Sequence, residues 1–282
     1  MKRPFIPVSA PVLNGNERKY VLDCLDTTWI SSNGKYIEQF EKSFAAFCQT
    51  KHALSCCNGT VALHLALMAL GLKPEDEVLV PTLTFVATAN AVAYCGARPV
   101  FLDSDPDTWN LDVSTIEKKI TARTKGIVAV HLYGNPVDMA ALMSLAQQHG
   151  LWVVEDAAEA HGAEFGGKKV GSYGALSSFS FYGNKIITSG EGGMVVTNDS
   201  TLALKVSRLK GQGMDPEHRY WFPIIGYNYR MTNIEAALGL AQLENVAASI
   251  QSRNEIAQWY QQELSEVEGL EFQKPQTNSK PV

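Results

Sequence analysis

Two residues near the middle of the chain have side chains suited to cofactor chemistry. Lys185 lies where polar and aromatic residues alternate, and the glycine-rich turn 190–193 follows it. Asp156 lies at the end of the apolar run that begins at residue 151. An amine can form a Schiff base with an aldehyde, and a carboxylate can hold a ring nitrogen protonated. These are the two groups that a pyridoxal phosphate enzyme needs most.

Considered singly, each of these two residues has an ordinary alternative. An aspartate after a strand also caps a following helix, so the two interpretations of Asp156 are about equally favoured. Most lysines are solvated surface residues. A tight loop after a strand, however, can hold Lys185 fixed and partly out of water, which makes its amine more nucleophilic.

A third segment, Asn58-Gly59-Thr60, has the features of a phosphate site. Gly59 allows close backbone approach, Thr60 offers a hydroxyl, and the next helix presents unpaired N–H groups and the positive end of its dipole. The same residues also form an ordinary turn and helix cap, which is the favoured interpretation of these three residues alone. Ser180 can add a hydrogen bond to a phosphate. Phe85 can cover one face of a ring, although an isolated phenylalanine is far more often part of a core.

The elements that must position these groups alternate along the chain. Strands are predicted at residues 52–57, 77–80, 99–102, 125–130, 152–155, 177–181 and 193–197. Helices are predicted at 16–26, 36–48, 59–70, 84–95, 139–149 and, after a lead-in at 234–246, to about residue 263. Several strands are continuous apolar runs, which indicates an α/β protein with a mostly parallel sheet covered on both faces. Ligands bind beyond the carboxyl ends of such strands.

Composition narrows the classes of protein. The chain has 282 residues, of which 45% are hydrophobic and 19% charged, as in a globular protein with a large core. A net charge of −5 argues against nucleic acid or an anionic membrane as the main partner. No apolar run reaches the ~20 residues that span a bilayer, and residues 1–5 lack the apolar core of a signal peptide.

The cysteines point to a reducing compartment. There are five, with no C-x-x-C spacing, so we expect reduced, mostly buried thiols in a cytoplasmic protein. Cys56 and Cys57 are adjacent, but no histidine or other cysteine stands at metal-ligand spacing from them. Strand packing is therefore favoured over a metal site.

Six motifs together resemble the DegT/DnrJ/EryC1/StrS family of pyridoxal phosphate-dependent sugar aminotransferases. They lie at residues 58–63, 81–85, 130–134, 155–162, 178–193 and 226–233. The resemblance runs from about residue 5 to residue 243. It implies a fold-type I aminotransferase, with a seven-stranded, mostly parallel sheet between helices in a large cofactor-binding domain at 1–245. Residues 246–282 would form a long helix and the beginning of an incomplete small domain, with a strand starting at 269–272.

The resemblance also implies roles for single residues. Lys185 would form the Schiff base with the cofactor and then shuttle protons, while Asp156 would pair with the pyridine nitrogen. Glu159 would lie beside the ring and its 3-hydroxyl. Phe85 would stack on the ring.

The cofactor phosphate has its own implied set of ligands. Gly59, Thr60 and Ser180 would hold it within one chain. Asn228 would reach the phosphate of the neighbouring subunit, which implies a homodimer.

Three further stretches, 101–109, 181–187 and 211–223, resemble family members with a particular substrate. Those enzymes aminate C4 of GDP-4-keto-6-deoxy-mannose with glutamate as donor, and the resemblance implies a role in O-antigen lipopolysaccharide or other surface-polysaccharide synthesis. Arg219 and Arg230 are candidates for binding the donor carboxylate and the diphosphate. A solvated surface position is the commoner explanation for either arginine.

Alternatives to this function remain open from the sequence. Related dehydratases resemble proteins with histidine at the Schiff-base position, and Lys185 argues against that chemistry. A UDP- or dTDP-linked keto sugar is another candidate substrate. Because relatives continue past Val282, a truncated, catalytically silent chain that binds cofactor or a partner is the alternative from a different class.

Overall fold

Strands and helices alternate along the computed structural model, which describes residues 5–215 and 217–282. The helices are α1 Glu17–Asp26, α2 Lys35–Phe47, α3 Gly59–Ala69, α4 Ala87–Tyr94, α5 Met139–Gln148, α6 Ser200–Lys210, α7 Asn233–Glu244 and α8 Val246–Leu264. The strands are β1 His52–Cys56, β2 Glu77–Pro81, β3 Arg98–Leu102, β4 Thr124–Val130, β5 Trp152–Asp156, β6 Glu164–Phe165, β7 Lys168–Lys169, β8 Leu176–Ser180, β9 Gly193–Thr197 and β10 Ser279–Lys280.

Seven of these strands form one sheet in the order β1-β9-β8-β5-β4-β2-β3. Strands β8, β5, β4, β2 and β3 are parallel, and β9 is antiparallel to both of its neighbours, β1 and β8. Strand β9 is therefore the one member of this sheet that runs in the opposite direction. The predicted mostly parallel seven-stranded sheet is confirmed.

Helices cover both faces of the sheet, as the continuous apolar strands require. Val128 and Val154 face a core built with α3, α4 and α6. Ile127 and Val153, one position earlier on the same strands, face the opposite side and pack with α5. This alternation follows from the twofold period of side chains along a strand.

An aromatic core fixes the strand that leads to Lys185. Phe40 and Phe44 of α2 pack with Phe179 and Phe181, and all four are fully buried. The ring centroids of Phe44 and Phe179 lie 5.0 Å apart at 79°, an edge-to-face contact. Truncating such a phenylalanine to alanine costs about 3–5 kcal/mol of stability. This packing therefore holds the end of β8, and the loop that follows it, in a fixed position.

The helices differ from the predictions by more than one residue in three main respects. Helix α4 begins at Ala87 rather than at residue 84, because residues 82–86 form a loop at the end of β2. Helix α6 was not predicted, and Asp199 caps it by accepting hydrogen bonds from the N–H groups of Thr201 and Leu202. The last predicted helix is two helices, because Asn245 leaves helical geometry at φ −105° and ψ 6°.

The segment after α8 also differs. The strand predicted to start at residues 269–272 was wrong, because no neighbouring strand pairs with these residues and they are irregular. A strand forms further on, where Ser279–Lys280 pairs antiparallel with β6 in a three-stranded sheet that includes β7. The predicted domain boundary at residue 245 coincides with the break between α7 and α8, and it stays a prediction. Nowhere in the described ranges is there a helix with both the length and the apolar character needed to cross a membrane.

Candidate active site

A cavity of about 650 Å³ opens where the carboxyl ends of β2, β4, β5 and β8 meet the beginning of α3. This is the edge at which parallel α/β sheets bind ligands. The cavity is lined by Asn58, Gly59, Thr60, Leu63, Leu83, Thr84, Phe85, Ala87, Val130, His131, Leu132, Tyr133, Asp156, Ala158, Glu159, Ser180, Tyr182, Asn184, Lys185 and Glu191. All the predicted cofactor-binding residues except Asn228 belong to this set.

One wall of the cavity is the amino end of α3. Asn58 caps the helix, since its Oδ1 accepts the N–H of Val61 at 2.9 Å. Among the described residues, the N–H groups of Gly59 and Thr60 have no acceptor, as is usual in a first helical turn. The cap and the anion site are thus compatible, because Asn58 supplies the cap and the next two N–H groups remain available to an anion.

Close contact between α3 and β8 completes this wall. A Cβ atom on Gly59 would lie 2.7 Å from the Cβ of Ser180, so a larger residue at position 59 would force the two elements apart. A Cβ on Gly193 would collide with the carbonyl oxygen of Asn58. The two glycines let the helix terminus and the Ser180 hydroxyl converge on one point.

Asp156 ends β5 as a buried carboxylate beside the cavity. Its Oδ2 accepts a hydrogen bond from Thr88 Oγ1 at 2.8 Å, and its Oδ1 accepts one from the N–H of Ala158 at 3.2 Å. Burial raises the pKa of Asp156, and the two hydrogen bonds and the nearby Lys185 offset only part of that rise. A cation placed against this carboxylate would stabilise its ionised form.

Thr88 is a functional residue of this site for which the sequence predicts no role. It lies in the first turn of α4, directly after the loop that ends β2. A hydroxyl in the first turn of a helix that follows a parallel strand lies near the ligand-binding edge of the sheet. That position was the signal that could have identified it.

Lys185 is held in the loop after β8. Its Nζ donates to Glu159 Oε1 at 3.2 Å, and its backbone N–H donates to the Tyr182 carbonyl at 2.9 Å. The other oxygen of Glu159 accepts the backbone N–H of Tyr133 at 2.9 Å. With 17% of its side chain exposed, the lysine amine is fixed and partly desolvated at the cavity, as the loop context predicts.

A second carboxylate, Glu155, lies directly behind Asp156 and is fully buried. It accepts hydrogen bonds from the N–H groups of Gly171 and Gly174, both at 2.7 Å, and from His131 Nε2 at 3.1 Å. The Nδ1 atom of His131 accepts the N–H of Val137 at 3.1 Å, so the imidazole proton lies on Nε2. Burial alone would raise the pKa of Glu155, but these donors outweigh it and hold the pKa below its usual value.

The remaining predicted residues differ in their placement. Phe85 lines the cavity with 75% of its surface exposed, so its face is open to a ligand. Asn228 is exposed outside the cavity and forms a backbone bridge with Gly211. Arg219 and Arg230 are also exposed and outside it, with the Arg219 guanidinium over the Tyr220 ring at 5.0 Å.

The residues of the cavity fit pyridoxal phosphate at three separate points. A helix terminus with Thr60 and Ser180 suits the phosphate. The buried carboxylate of Asp156, which lacks a full set of donors, suits a protonated ring nitrogen. Lys185 supplies an amine at the same cavity. In the described ranges, no group of three or more His, Cys, Asp or Glu side chains could hold a metal ion.

The fold and this site define a fold-type I, pyridoxal phosphate-dependent aminotransferase. Residues 11–282 match the model of the DegT/DnrJ/EryC1/StrS aminotransferase family, and the chain belongs to that family. The predicted family, enzyme class and cofactor are thereby confirmed.

The chain is also similar to individual relatives over most of its length. It is 58% identical to the GDP-perosamine synthase of Caulobacter vibrioides, over 96% of this chain and 73% of that protein. It is 51% identical to the GDP-perosamine synthase of Vibrio cholerae, over 92% of this chain and 71% of that protein. The solved structure of S. venezuelae DesV in complex with a ketimine intermediate superposes with a TM-score of 0.90 at 37% identity, covering 94% of this chain and 71% of that one.

Proposed function

We propose that the enzyme transfers an amino group from glutamate to C4 of GDP-4-keto-6-deoxy-mannose, which yields GDP-perosamine. The observation that carries this proposal is the convergence of the Lys185 amine, the Asp156 carboxylate and the amino end of α3 on one cavity. The choice of sugar and nucleotide rests on the similarity to two proteins described as GDP-perosamine synthases.

The predicted site residues of the cavity have separate tasks in this proposal. When bound, pyridoxal phosphate supplies an aldehyde carbon that takes up amines and a ring that accepts electrons. Lys185 Nζ is the nucleophile towards that carbon. Asp156 keeps the ring nitrogen protonated and Phe85 covers one ring face.

The phosphate and the lysine have further partners. Gly59, Thr60 and Ser180 bind the phosphate through N–H and hydroxyl groups. Glu159, whose Oε1 accepts from Lys185 Nζ at 3.2 Å, orients the amine. It would lie beside the 3-hydroxyl of a bound ring.

Lys185 also moves the protons of both half-reactions. In the first, its amine would take the α-proton of glutamate, the amino group would pass to the cofactor, and water would supply the carbonyl oxygen of the released 2-oxoglutarate. In the second, the lysine acts in reverse order and delivers a proton to C4 of the sugar. The partly desolvated position of the amine suits both directions.

We also propose that the active unit is a homodimer in which Asn228 binds the phosphate held by the neighbouring subunit. Asn228 is exposed and lies outside the cavity of its own chain, which leaves it available to another. Exposed apolar side chains close to it in sequence, including Trp221 and Ile225, favour a covered surface.

The setting that we propose is a cytoplasmic pathway of O-antigen lipopolysaccharide synthesis. Support for the compartment comes from the cysteines, which are all free thiols in the described chain. The pathway follows from the proposed product alone.

The assignment of Lys185 is tested by adding pyridoxal phosphate to the wild-type protein and to Lys185→Ala. We expect a visible absorbance band in the wild type that the variant lacks. Lys51→Ala is the matched control, because Lys51 is exposed and precedes β1 at the opposite edge of the sheet from the cavity. A band that survives unchanged in Lys185→Ala would contradict the assignment.

The substrate is tested with glutamate and GDP-4-keto-6-deoxy-mannose, followed by the mass of the product. UDP- and dTDP-linked 4-keto sugars are run in parallel. We expect turnover of the GDP sugar in preference to the other two. Faster turnover of another nucleotide would overturn the choice of GDP, and cofactor binding without any turnover would support the catalytically silent alternative.

A further inference from the structure

Tyr133 is an exposed aromatic residue inside the cavity, and none of the cofactor roles uses it. Its side chain is 60% exposed and lines the cavity wall. Its backbone has φ 53° and ψ 29°, a left-handed conformation that large side chains rarely adopt. Such strain persists only where the surrounding structure enforces it, and it concentrates at functional sites.

A second aromatic residue with strained backbone packs against Tyr133. Trp109 has φ 60°, also in the left-handed region. The ring centroids of Trp109 and Tyr133 lie 6.4 Å apart with an interplanar angle of 82°, which is an edge-to-face contact. The indole therefore limits how far the tyrosine ring can turn.

Two buried asparagines lock the turns that carry these aromatics. Asn110 Nδ2 donates to the carbonyls of Asn135 at 2.9 Å and Pro136 at 3.1 Å, and its Oδ1 accepts the N–H of Leu132 at 3.1 Å. In return, Asn135 Nδ2 donates to the carbonyl of Thr108 at 3.3 Å. Each turn is thus tied to the other on both sides of its aromatic residue. The fold enforces the two strained conformations, and with them the direction of the tyrosine ring.

Tyr133 lies close to the reactive amine. Its backbone N–H donates to Glu159 Oε2 at 2.9 Å, and Glu159 Oε1 accepts from Lys185 Nζ at 3.2 Å. One carboxylate therefore separates the Tyr133 backbone from the atom that must meet C4 of the sugar. Tyr133 and Lys185 line the same cavity, so a hexose that places C4 at Lys185 enters the space that the tyrosine side chain borders.

We propose that Tyr133, supported by Trp109, determines specificity by stacking on the apolar C–H face of the deoxyhexose ring. The inference rests on the proposed function and specifies which residue recognises the sugar. Glutamate has no ring and offers no comparable face. The second half-reaction should therefore depend on Tyr133, whereas the first should not.

The test measures the two half-reactions separately on the holoenzyme. In Tyr133→Ala we expect the half-saturating concentration of the nucleotide sugar to rise about 10-fold, the size of a lost aromatic contact. The rate at which glutamate changes the cofactor absorbance should not change. Tyr133→Phe keeps the ring and should behave as wild type. Tyr260→Ala is the matched control, since Tyr260 is 58% exposed on α8 and outside the cavity.

A third variant protects the test against misfolding. Asparagine tolerates left-handed backbone and lacks an aromatic ring, so Tyr133→Asn should reproduce the effect of Tyr133→Ala in a folded protein. An unchanged sugar half-reaction in these variants would overturn the inference, as would equal slowing of the glutamate half-reaction. A wild-type enzyme that reacts with glutamate but with no 4-keto sugar would instead overturn the proposed function, and the inference with it.

Discussion

Glu155 and Asp156 are neighbours on β5, and their side chains serve opposite faces of the same sheet. Both carboxylates are buried. Glu155 accepts from three backbone N–H groups, from Ser177 Oγ at 3.0 Å and from His131. Asp156 accepts from Thr88 and from the N–H of Ala158. The two acids thus differ mainly in how many hydrogen-bond donors the protein supplies to each carboxylate.

The pKa values of the two acids move in opposite directions for this reason. Around Glu155 the donors outweigh burial and the pKa is lowered, so the ionised acid holds the turn at 171–174 to the sheet. Around Asp156 burial prevails and the pKa is raised. A buried carboxylate with few hydrogen-bond donors at the edge of a cavity is suited to bind a cationic ligand. The comparison separates a carboxylate that builds the fold from one suited to bind cofactor.

The strongest test of this comparison is Asp156→Asn. An amide cannot hold a pyridine nitrogen protonated, so we expect transamination to fall by about 10²- to 10⁴-fold while the protein stays folded. Steady-state rates with glutamate and the keto sugar, and circular dichroism of the same samples, measure the two effects. Near-normal turnover would show that Asp156 is a structural acid like its neighbour.

Glu155→Gln should show the opposite pattern. Removing one partner of a buried charged network costs about 3–5 kcal/mol, because the glutamine amide faces N–H groups that need an acceptor. Urea unfolding of the cofactor-free protein measures this loss. The fraction that remains folded should still develop the visible band with pyridoxal phosphate, and a stable variant without the band would contradict the structural role.

Thr88→Val makes the donor set of Asp156 smaller still. Loss of a hydrogen bond to a charged group is worth about 1.5–3 kcal/mol, and the pKa of Asp156 should rise further above its ordinary value. Pyridoxal phosphate should then bind more weakly, by about 10-fold or more. Titration of the visible band measures the affinity. Thr84→Val, which removes a hydroxyl 3.2 Å from Thr88 rather than from the acid, is the control and should have a smaller effect.

The smallest effects concern the pH dependence of stability without cofactor. The raised pKa of Asp156 means that its contribution is complete below the ordinary aspartate pKa and is lost as the pH rises through the folded value. The lowered pKa of Glu155 gives a contribution present above the ordinary glutamate pKa and lost as the pH falls through the folded value. These contributions are measured as melting temperatures between about pH 3 and pH 8. In Asp156→Asn, the decrease in melting temperature on the alkaline side should be absent. In Glu155→Gln, the decrease in melting temperature on the acid side should be smaller than in the wild type. Identical melting curves for the two variants would contradict the comparison.

Much of the fold followed from local patterns. Apolar runs such as 125–130 and 152–155 predicted the parallel strands, because burial on both faces leaves few polar positions. Helix α6 was missed although Asp199 before it and Gly211 after it are typical helix-boundary residues. The break at Asn245 was not foreseen because no proline or glycine marks it. The strand predicted at 269–272 failed because strand formation needs a partner edge, which local sequence does not reveal.

The sequence by itself determined the chemistry available to this protein: a lysine in a tight loop, an aspartate at a strand end and a glycine at the start of a helix. These depend on residue type and on neighbours along the chain. Only the tertiary structure decided that Glu155 has a fuller set of hydrogen-bond donors than Asp156, that Thr88 donates to Asp156, and that Tyr133 lines the cavity. Their donors and contacts come from residues far away in sequence, such as the 68 positions between Thr88 and Asp156. Hydrogen bonding and desolvation depend on distance in space, so only the folded chain assigns the two adjacent acids their different tasks.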